Sequence, residues 1–477
     1  MSTPFRPEGT KPSARQSRSM ALRLLHYSDL ENVYDTPERA GRLAGLLREL
    51  DGEDAILAGS GDNTSPGVLA LVEDGAQALD FFAAVEPDVE TFGNHEFDHS
   101  HAALKDLVAD SPQTWVSANV WSDRESGDRF GADAGVAPAT VVEIDGDSVG
   151  FVGVTTERTA SINPFAKDLE FTDPVDAARD ALADLDADYS VVLSHLGRGD
   201  EELAREVEAD AILGGHVPTE REDEVAGTLL TRPGDGGSAV LEVDLETGGV
   251  TRHSVADAPV HEVIADAMRE RLARAGLDEV VGTVGTPIDR AETTLFGGES
   301  RLGNLVADAY RWKTGADVGL QNSGGVRTGD ALDGEVTAAD LVSVTPFEES
   351  VVVAEVSGEE LRAAFEWAAS PDLGFAEEGW WHAQVSGATV AWDPDAHAVE
   401  SVRVGGEPLD SNRTYSVALS DYLLHTDDEF PSLDGDHRVS TVGIQYEVLV
   451  EYARKTSIDP EIEGRIVEVE QERHRTD

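Results

Sequence analysis

The chain has 477 residues, of which 94 are Asp or Glu and only 36 are Lys or Arg, so its formal net charge is −58. A composition this acidic offers no basic stripe to neutralise phosphates, which excludes a nucleic-acid partner. The lack of Cys excludes disulfides and thiolate metal sites. No run reaches the ~18–20 apolar residues of a membrane span, so we expect no membrane partner.

The scarcity of Lys among the basic residues indicates a protein adapted to high salt. Only five of the 36 basic residues are Lys, and the others are Arg. Repulsion among so many acids strains a compact fold in dilute buffer, whereas molar salt shortens the screening length to about 3 Å. A chain rich in acids and poor in Lys therefore favours a halophilic cytosol over an ordinary acidic protein.

The two ends of the chain read as tails. Residues 1–20 are polar and are interrupted by Pro and Gly. They lack the apolar stretch of about 7–15 residues that marks a secretory signal. We predict a disordered tail over residues 1–20, a second tail over residues 471–477, and a cytoplasmic location.

The first half of the chain alternates short apolar runs, predicted as strands, with amphipathic stretches. Pro37 begins a predicted helix, and Asp145-Gly146-Asp147 predicts a hairpin turn. Loops that follow strand ends converge in a layered α/β fold, so polar residues placed there are expected to meet. Four predicted strands lead to such residues: 22–26 to Asp29, 55–58 to Asp62, 189–193 to His195 and 211–213 to His216.

The stretch Gly93-Asn94-His95-Glu96-Phe97-Asp98 places an amide oxygen beside an imidazole. Metal-assisted phosphate chemistry uses both, one to hold a cation and one to meet the phosphate. Taken singly, an Asp after a strand also fits a helix cap or a turn, and a lone His fits a buried core position. In order along the chain, however, the five polar blocks resemble those of the calcineurin-like metallophosphoesterases.

That resemblance implies two divalent metal ions, with Mn, Mg, Zn or Co as candidates. One ion would take Asp62, Asn94, His195 and His216. The other would take Asp29 and share Asp62 as a bridge. The family also implies that His95 contacts the phosphate while Asp98 orients its ring.

Two positions depart from the family pattern. Glu31 stands where a His is usual, and Pro218 stands where a second His or a Gln is usual. We interpret Glu31 as a replacement ligand, with a solvated surface acid as the alternative. An added carboxylate favours Mn or Mg over Zn. The side chain of Pro218 cannot ligate, so the site that would take Asp29 and share Asp62 is expected to be weaker or more metal-selective than in relatives.

The second half begins with a predicted helix over residues 259–276, interpreted as a connector. The motifs that follow are Leu302-Gly303-Asn304-Leu305, Asn322-Ser323-Gly324-Gly325-Val326-Arg327 and Pro346-Phe347. They resemble the C-terminal domain of the 5′-nucleotidase family, which includes bacterial UDP-sugar hydrolases and animal ecto-nucleotidases.

The resemblance implies a nucleotide site in this second half. Phe347 and Tyr422 would stack on the base, although aromatic residues also suit a core. Asp428 would meet the ribose hydroxyls. The polar residues implied near the sugar and phosphate are Asn304, Asn322 and Arg327.

Three departures concern this nucleotide site. Glu349 replaces an amide that lies near the base in relatives, and a family Arg aligns with Phe296, although Arg301 is close by. The family's Gly-Gly-Asp-Gly-Tyr reads Thr426-Asp427-Asp428-Glu429-Phe430 in this chain.

The fold class expected from both resemblances is α/β. It comprises a four-layer metallophosphoesterase β-sandwich flanked by helices over residues 21–255, a helical linker over 256–280, and a smaller α+β domain over 281–470. In relatives the second domain rotates to bring the phosphate to the metals, and the linker is interpreted as such a connector.

The expected activity is hydrolysis of nucleoside 5′-monophosphates by metal-activated water, with a small-molecule nucleotide as the partner. The alternatives are hydrolysis of UDP-sugars, of 2′,3′-cyclic nucleotides or of a sulfur ester, and a nucleotide-binding protein with a degenerate metal site.

Overall fold

The structure, a computed structural model, describes residues 22–371, 380–426 and 429–469. The predicted tails and Asp428 lie outside these residues. Contacts divide the chain into two compact units. Unit 1 comprises residues up to Glu31, Glu38–Ser65 and Ala78–Ile264; unit 2 comprises Asn32–Pro37, Pro66–Gln77 and the chain from Ala265.

The helices of both units are mostly short. In chain order they are α1 Pro37–Leu50, α2 Val68–Glu73, α3 Ala78–Val85, α4 His101–Asp110, α5 Thr159–Ile162, α6 Pro174–Ala183, α7 Asp200–Glu206, α8 Glu262–Ala275, α9 Glu292–Leu295, α10 Arg301–Thr314, α11 Ala338–Val342, α12 Gly358–Ala368 and α13 Gln445–Lys455. The predicted helices at Pro37 and over residues 259–276 are thus present.

The strands of unit 1 include the four that the sequence predicted to lead to polar residues. They are β1 Arg23–Tyr27, β2 Ala55–Gly59, β3 Val89–Thr91, β4 Thr114–Val116, β5 Val120–Asp123, β6 Asp128–Arg129, β7 Ala139–Ile144, β8 Asp147–Thr155, β9 Glu170–Phe171, β10 Tyr189–His195, β11 Ala211–Gly214, β12 Arg221–Val225, β13 Thr228–Arg232, β14 Ala239–Asp244 and β15 Gly249–Ser254.

Unit 1 contains two six-stranded sheets. The first has the order β15-β14-β1-β2-β3-β4, and β1 to β4 are mutually parallel. The second has the order β12-β13-β11-β10-β8-β7, and β13, β11, β10 and β8 are parallel. A small sheet of β6, β5 and β9 lies apart from them. Parallel strands need both faces covered, which explains why they read as unbroken apolar runs.

The two large sheets of unit 1 pack face to face. Leu24 and Ile56 of the first sheet share one buried cluster with Phe151, Val191 and Leu213 of the second. The outer face of the second sheet is covered by α6 and α7. On the first sheet, the Phe81 ring of α3 meets Tyr27 of β1 edge-on. Helices therefore flank a central sandwich, as the fold class predicts.

The predicted hairpin in unit 1 is present. β7 and β8 pair antiparallel from Ile144 opposite Asp147. Asp145 and Gly146 between them have positive φ angles of 47° and 87°. A two-residue loop with two positive φ angles matches the twist of the strands it joins, which is why Asp-Gly signals this turn.

Unit 2 is built from antiparallel and mixed sheets. Its strands are β16 Val280–Ile288, β17 Val318–Gln321, β18 Leu332–Thr337, β19 Ser350–Ser357, β20 Gln384–Ser386, β21 Ala388–Asp393, β22 Ala398–Val404, β23 Glu407–Pro408, β24 Thr414–Ser420, β25 Arg438–Ile444 and β26 Ile466–Glu468. They form a five-stranded sheet β20-β17-β24-β19-β25, a four-stranded sheet β23-β22-β21-β26 and the pair β16-β18.

The core of unit 2 joins its two larger sheets to α12. Val352 of β19, Leu361 of α12 and Trp392 of β21 lie in one buried cluster. The helices and sheets are not regularly alternated along this half, so the unit is α+β.

Two segments from the first half of the chain belong to unit 2 by their contacts. The carboxylate of Asp35 accepts hydrogen bonds from the amides of Val68 and Leu69, 2.7 and 2.8 Å away, at the start of α2. Glu73 at the end of α2 forms ion pairs with Arg271 and Arg274 of α8. A division at one point of the sequence does not capture these long-range contacts. No helix within the described residues is long and apolar enough to cross a membrane.

Candidate metal centre and nucleotide site

The metal-ligand candidates lie at the carboxyl ends of parallel strands in unit 1. Asp29 follows β1, Asp62 follows β2 and Asn94 follows β3, all in the first sheet. His195 ends β10 and His216 follows β11 in the second sheet. Since the carboxyl ends of parallel strands share one edge, the register of each sheet gathers its polar loops there.

Three of these side chains form a tight cluster. Asp62, His195 and His216 each offer a ligand atom, and these atoms all lie within 4.8 Å of one another. The Nε2 atom of His195 is 2.9 Å from Asp62 Oδ2, and the two imidazole rings have centroids 5.1 Å apart. One carboxylate and two imidazoles at this spacing suit a divalent transition metal.

The ring of His195 is oriented for ligation by its other nitrogen. Nδ1 is 2.8 Å from the carbonyl oxygen of Ser60, which can only accept, so Nδ1 carries the proton. Nε2 is then left to bind a cation. A backbone carbonyl that fixes the tautomer in this way is a usual partner of a metal-bound His.

A buried histidine supports the loop that holds His195. The hydroxyl of Ser60 donates to the carbonyl of Gly214 at 3.1 Å, so it accepts from Nε2 of His26 at 2.8 Å. Nδ1 of His26 accepts from Thr231 at 3.1 Å. Burial, helped by the charge of Arg232, lowers the pKa of His26 to about 3, so the ring is neutral. The sequence motifs did not point to this residue.

Asp29 is bound tightly into the same region. Its carboxylate accepts from the amide of His216 at 2.9 Å and from the hydroxyl of Ser28 at 2.5 Å. Burial is the largest cause that raises the pKa of Asp29, to about 7, and the neighbouring Asp62 adds to it. Buried carboxylates this close need a positive charge to offset their repulsion.

The backbone at the ligands is strained. Asp29, Glu31, Asp62 and His216 have φ angles of 49°, 48°, 53° and 77°. A left-handed conformation is tolerable for Asp but costly for Glu and His. Such strain concentrates at functional sites because the surrounding contacts hold it in place.

Glu96 supplies much of that support, a role that the motif alone did not reveal. Its carboxylate is buried and accepts from the backbone amides of Asp62, Asn63, Gly93 and Thr64, at 2.6 to 3.2 Å. Gly93 must remain unsubstituted here, because a Cβ atom would lie 2.1 Å from Asp62 Oδ1. The Glu96 carboxylate thus joins the Asp62 loop to the Asn94 loop.

The remaining ligand candidates, Asn94 and Glu31, offer oxygen atoms that could bind a cation. Asn94 is buried, and its Oδ1 atom has no hydrogen-bond partner among the described residues. A buried oxygen without a hydrogen-bond partner is what a cation would satisfy. Glu31 is half-buried, and its amide bonds the carbonyl of Asp62 at 3.1 Å. The donor set therefore fits divalent metal, while Pro218 is exposed and contributes no side-chain ligand.

His95 and Asp98 form the dyad that the resemblance implies. Nδ1 of His95 is 2.7 Å from Asp98 Oδ2, and the amide of His95 donates to Asp62 Oδ1 at 2.7 Å. Burial acts to lower the pKa of His95, but Asp98 and Asp62 outweigh it and raise the pKa to about 10. The ring is held by a carboxylate on one side, which leaves Nε2 for an anionic group.

The nucleotide-site candidates of unit 2 differ in exposure to solvent. Phe347, Tyr422 and Arg327 are at least partly exposed. The guanidinium of Arg327 lies 5.7 Å from the centroid of the Phe347 ring, at the range of a cation–π contact. Beside them, His425 meets the Tyr422 ring edge-on and lies 3.8 Å from Glu349.

Other candidates in unit 2 are engaged inside the fold. Asn304 is fully buried, and its amide donates to Glu299 at 2.7 Å and to the carbonyl of Glu461 at 2.8 Å. Its contact with a substrate stays a prediction, and these bonds indicate a structural role. Phe296 is buried against Trp380. Arg301 binds backbone carbonyls, including that of Pro460 at 2.7 Å, so it does not replace the missing family Arg here.

Two residues of unit 2 that the sequence patterns did not indicate organise this region. Glu429 is buried and accepts from Asn322 at 2.9 Å, His382 at 2.8 Å and Tyr422 at 3.3 Å. Arg290 is buried and donates to the backbone carbonyl of Arg327 at 3.2 Å. Glu429 occupies a position where the family motif has Gly. This replacement is the sequence feature that could have pointed to Glu429 as an organising residue.

Comparisons with known proteins agree with this geometry. A family model described as calcineurin-like phosphoesterase matches residues 22–220. A second, described as the 5′-nucleotidase C-terminal domain, matches residues 280–435. The chain therefore joins a calcineurin-like phosphoesterase domain to a 5′-nucleotidase C-terminal domain. It belongs to the 5′-nucleotidase family.

Among relatives, the trifunctional nucleotide phosphoesterase protein YfkN of Bacillus subtilis is 26% identical over 517 residues, which cover 94% of this chain and 35% of that protein. The chain thus spans about a third of that relative. The crystal structure of a 5′-nucleotidase precursor from Thermus thermophilus superimposes with a TM-score of 0.76 and 25% identity, covering 95% of this chain and all of that one.

A third likeness concerns the fold alone. The sulfate thiohydrolase SoxB of Thermus thermophilus superimposes with a TM-score of 0.70 and 21% identity, covering 96% of this chain and 98% of that one. A shared fold does not by itself determine the reaction, which depends on the residues of the site.

Proposed function

We propose that the chain hydrolyses nucleoside 5′-monophosphates to nucleoside and phosphate. The observation that carries the proposal is the cluster of Asp62, His195 and His216, together with the orphaned buried oxygen of Asn94, in a chain of the 5′-nucleotidase family. The His95–Asp98 dyad, with a Nδ1–Oδ2 distance of 2.7 Å, adds a group suited to meet a phosphate.

The proposed cofactors are two divalent ions. Asp62, Asn94, His195 and His216 would hold one, and Asp29, Glu31 and Asp62 the other. When bound, such ions lower the pKa of water and neutralise charge on the phosphate. A site with three carboxylates favours Mn²⁺ or Mg²⁺ over Zn²⁺.

The residues of the chain supply orientation and charge. His95 binds a phosphate oxygen through Nε2 while Asp98 holds its ring. In unit 2, Phe347 and Tyr422 bind the base, Asn322 and Arg327 bind the sugar or phosphate, and Asp428 binds the ribose. Phe347 and Tyr422 are partly exposed and Arg327 is exposed, which supports the roles proposed for these three residues.

We also propose that the enzyme works in a high-salt cytoplasm and takes part in nucleotide catabolism. The net charge of −58 supports the first part, because repulsion of that size is relieved by molar salt. Thermal unfolding followed in 0.1, 1 and 3 M KCl tests it. A melting temperature that does not rise with KCl would contradict the high-salt proposal.

The activity is tested by phosphate release from AMP in molar KCl with Mn²⁺ or Mg²⁺, and with a chelator as control. UDP-glucose and 2′,3′-cyclic AMP are assayed in parallel, because relatives of this architecture differ in substrate. Metal-dependent release that is fastest from AMP supports the proposal. Faster turnover of UDP-glucose or of the cyclic nucleotide would show that this compound, and not AMP, is the preferred substrate. If a folded, metal-loaded protein hydrolyses none of the three compounds, the proposed activity is wrong.

A further inference from the structure

A buried asparagine contacts the His95–Asp98 dyad from the side opposite to the imidazole. Asn163 follows α5 and is 5% exposed. Its Nδ2 atom donates to Asp98 Oδ1 at 2.8 Å, while His95 Nδ1 is 2.7 Å from Asp98 Oδ2. Each oxygen of Asp98 therefore has its own donor, and rotation of the carboxylate would break one of the two bonds.

The same amide also contacts the loop that carries a metal-ligand candidate. Nδ2 of Asn163 donates its second hydrogen to the backbone carbonyl of Asn94 at 3.1 Å. One side chain thus ties Asp98 to the residue just before His95. The two hydrogens of Nδ2 account for both bonds, so the amide has no donor left over.

The orientation of the Asn163 amide is set by a third contact. Its Oδ1 atom accepts from the backbone amide of Phe165 at 3.0 Å. Because a backbone amide only donates, Oδ1 must face Phe165 and Nδ2 must face Asp98. The backbone amide of Asn163 in turn donates to the carbonyl of Thr159 at 2.9 Å. The bonds to Phe165 and Thr159 therefore hold Nδ2 of Asn163 in position to donate to Asp98.

We propose that Asn163 is a positioning residue for the dyad: its amide holds the Asp98 carboxylate, and through it the His95 ring, in the orientation that meets the phosphate. This inference rests on the proposed function. Nothing in the residue pattern around position 163 carries such a role, since an Asn before a Pro usually serves as a cap or turn. Asn163 does cap in this way, through Phe165, and the dyad contact is additional.

Two variants separate the capping role from the positioning role. Asn163→Asp keeps an oxygen for Phe165 and nearly the same shape, but it replaces the donor with a carboxylate facing Asp98. Like charges at that distance repel, so the Asp98 carboxylate is expected to turn. Asn163→Ala removes both roles. Asn119→Asp is the matched control, because Asn119 is also a buried amide with three backbone hydrogen bonds, to Thr155 and Thr172.

Steady-state kinetics on AMP with saturating Mn²⁺ give the first readout. Both Asn163 variants should lower kcat about 10- to 100-fold, as small misplacements of reacting groups do, with KM nearly unchanged. In an Asp98→Ala background, Asn163→Ala should change kcat by less than about twofold, because the two residues act as one unit. Equal losses in both backgrounds, or full activity of Asn163→Asp, would overturn the proposal.

The second readout needs neither metal nor turnover. In metal-free protein labelled with ¹⁵N-histidine, the imidazole N–H proton of His95 is assigned by its absence in His95→Ala. This proton should exchange faster with water in Asn163→Asp and Asn163→Ala than in the wild type and Asn119→Asp. Unchanged exchange would overturn the proposal. If the wild type releases no phosphate from AMP, the proposed function fails while this readout still decides whether Asn163 positions His95.

Discussion

Glu96 Oε2 lies 2.8 Å from the backbone nitrogen of Asp62, so a buried carboxylate fixes the loop that carries the central metal-ligand candidate. The same carboxylate accepts from Asn63, Gly93 and Thr64. It is a support rather than a ligand, because its oxygens are already occupied by backbone donors. The left-handed φ of 53° at Asp62 is held by these contacts.

Replacing Glu96 by Gln should weaken metal binding while leaving every predicted ligand in place. The amide nitrogen of Gln would face backbone N–H groups that need an acceptor, so the Asp62 loop would shift. We expect Mn²⁺ affinity to fall about 10- to 100-fold, as is usual for residues that orient ligands. Titration calorimetry in molar KCl measures it, with exposed Glu125→Gln as the control. Equal affinities would show that the support is dispensable.

Asp62→Ala and His95→Ala should separate metal binding from turnover. Asp62 lies 2.9 Å from His195 Nε2 within the ligand cluster, so its loss should remove bound metal and activity together. His95 contributes through its ring, so His95→Ala should keep metal but lose at least about 100-fold in kcat. Metal content by elemental analysis and phosphate release measure the two effects. Normal turnover in either folded variant would refute the site assignment.

Glu31→His should change metal preference. Glu31 replaces the family imidazole, and its backbone bonds the carbonyl of Asp62 at 3.1 Å. An imidazole favours Zn²⁺ or Co²⁺, whereas a carboxylate favours Mn²⁺ or Mg²⁺. We expect the ratio of Zn²⁺ to Mn²⁺ affinity to rise by about tenfold or more in the variant. Competition titrations test this, with exposed Glu53→His as the control. An unchanged ratio would show that Glu31 is a surface acid.

Glu90 should make stability depend on pH. Burial is the main cause that raises its pKa, to about 8, even though Tyr27 and Asn63 donate to it at 2.7 and 2.6 Å. A carboxyl group whose folded pKa is raised holds its proton more tightly when folded. Its contribution to stability is full below the unfolded value of 4.5 and is lost as pH rises through about 8.

Glu90→Gln should therefore flatten the decline in stability between pH 5 and pH 9. We expect the wild type to lose roughly 2–5 kcal/mol more than the variant over this window, from the size of the pKa shift. Urea unfolding at fixed KCl gives the free energies. Glu143→Gln, on the exposed side of β7, should retain the slope of the wild type. A slope in Glu90→Gln equal to that of the wild type would contradict the assignment.

Glu429→Ala should impair nucleotide binding more than chemistry. It removes the shared acceptor of Asn322, Tyr422 and His382, and so frees two residues proposed to contact the nucleotide. We expect KM for AMP to rise about tenfold, which corresponds to about 1.4 kcal/mol, with a smaller change in kcat. Exposed Glu400→Ala serves as the control. A KM equal to that of the wild type would show that Glu429 only stabilises unit 2.

Much of the fold followed from local patterns. The apolar runs at 22–26, 55–58, 189–193 and 211–213 became β1, β2, β10 and β11, because strands buried on both faces have a distinctive composition. The Asp145-Gly146 turn followed from its backbone requirement. By contrast, the assignment of segments 32–37 and 66–77 to unit 2 goes with long-range contacts that no local pattern marks. Asp35 bonds the start of α2, and Glu73 at the end of α2 pairs with Arg271 of α8.

The sequence by itself determined the chemistry of the candidate centre, because Asp, Asn and His in ordered blocks after strands restrict the ligands and the reaction that they suit. Only the tertiary structure decided which residues hold that centre in place. Glu96, His26, Asn163 and Glu429 act through bonds to residues between 2 and 205 positions away. The packing of loops and sheets determines which residues become such partners, and a local sequence pattern does not predict that packing.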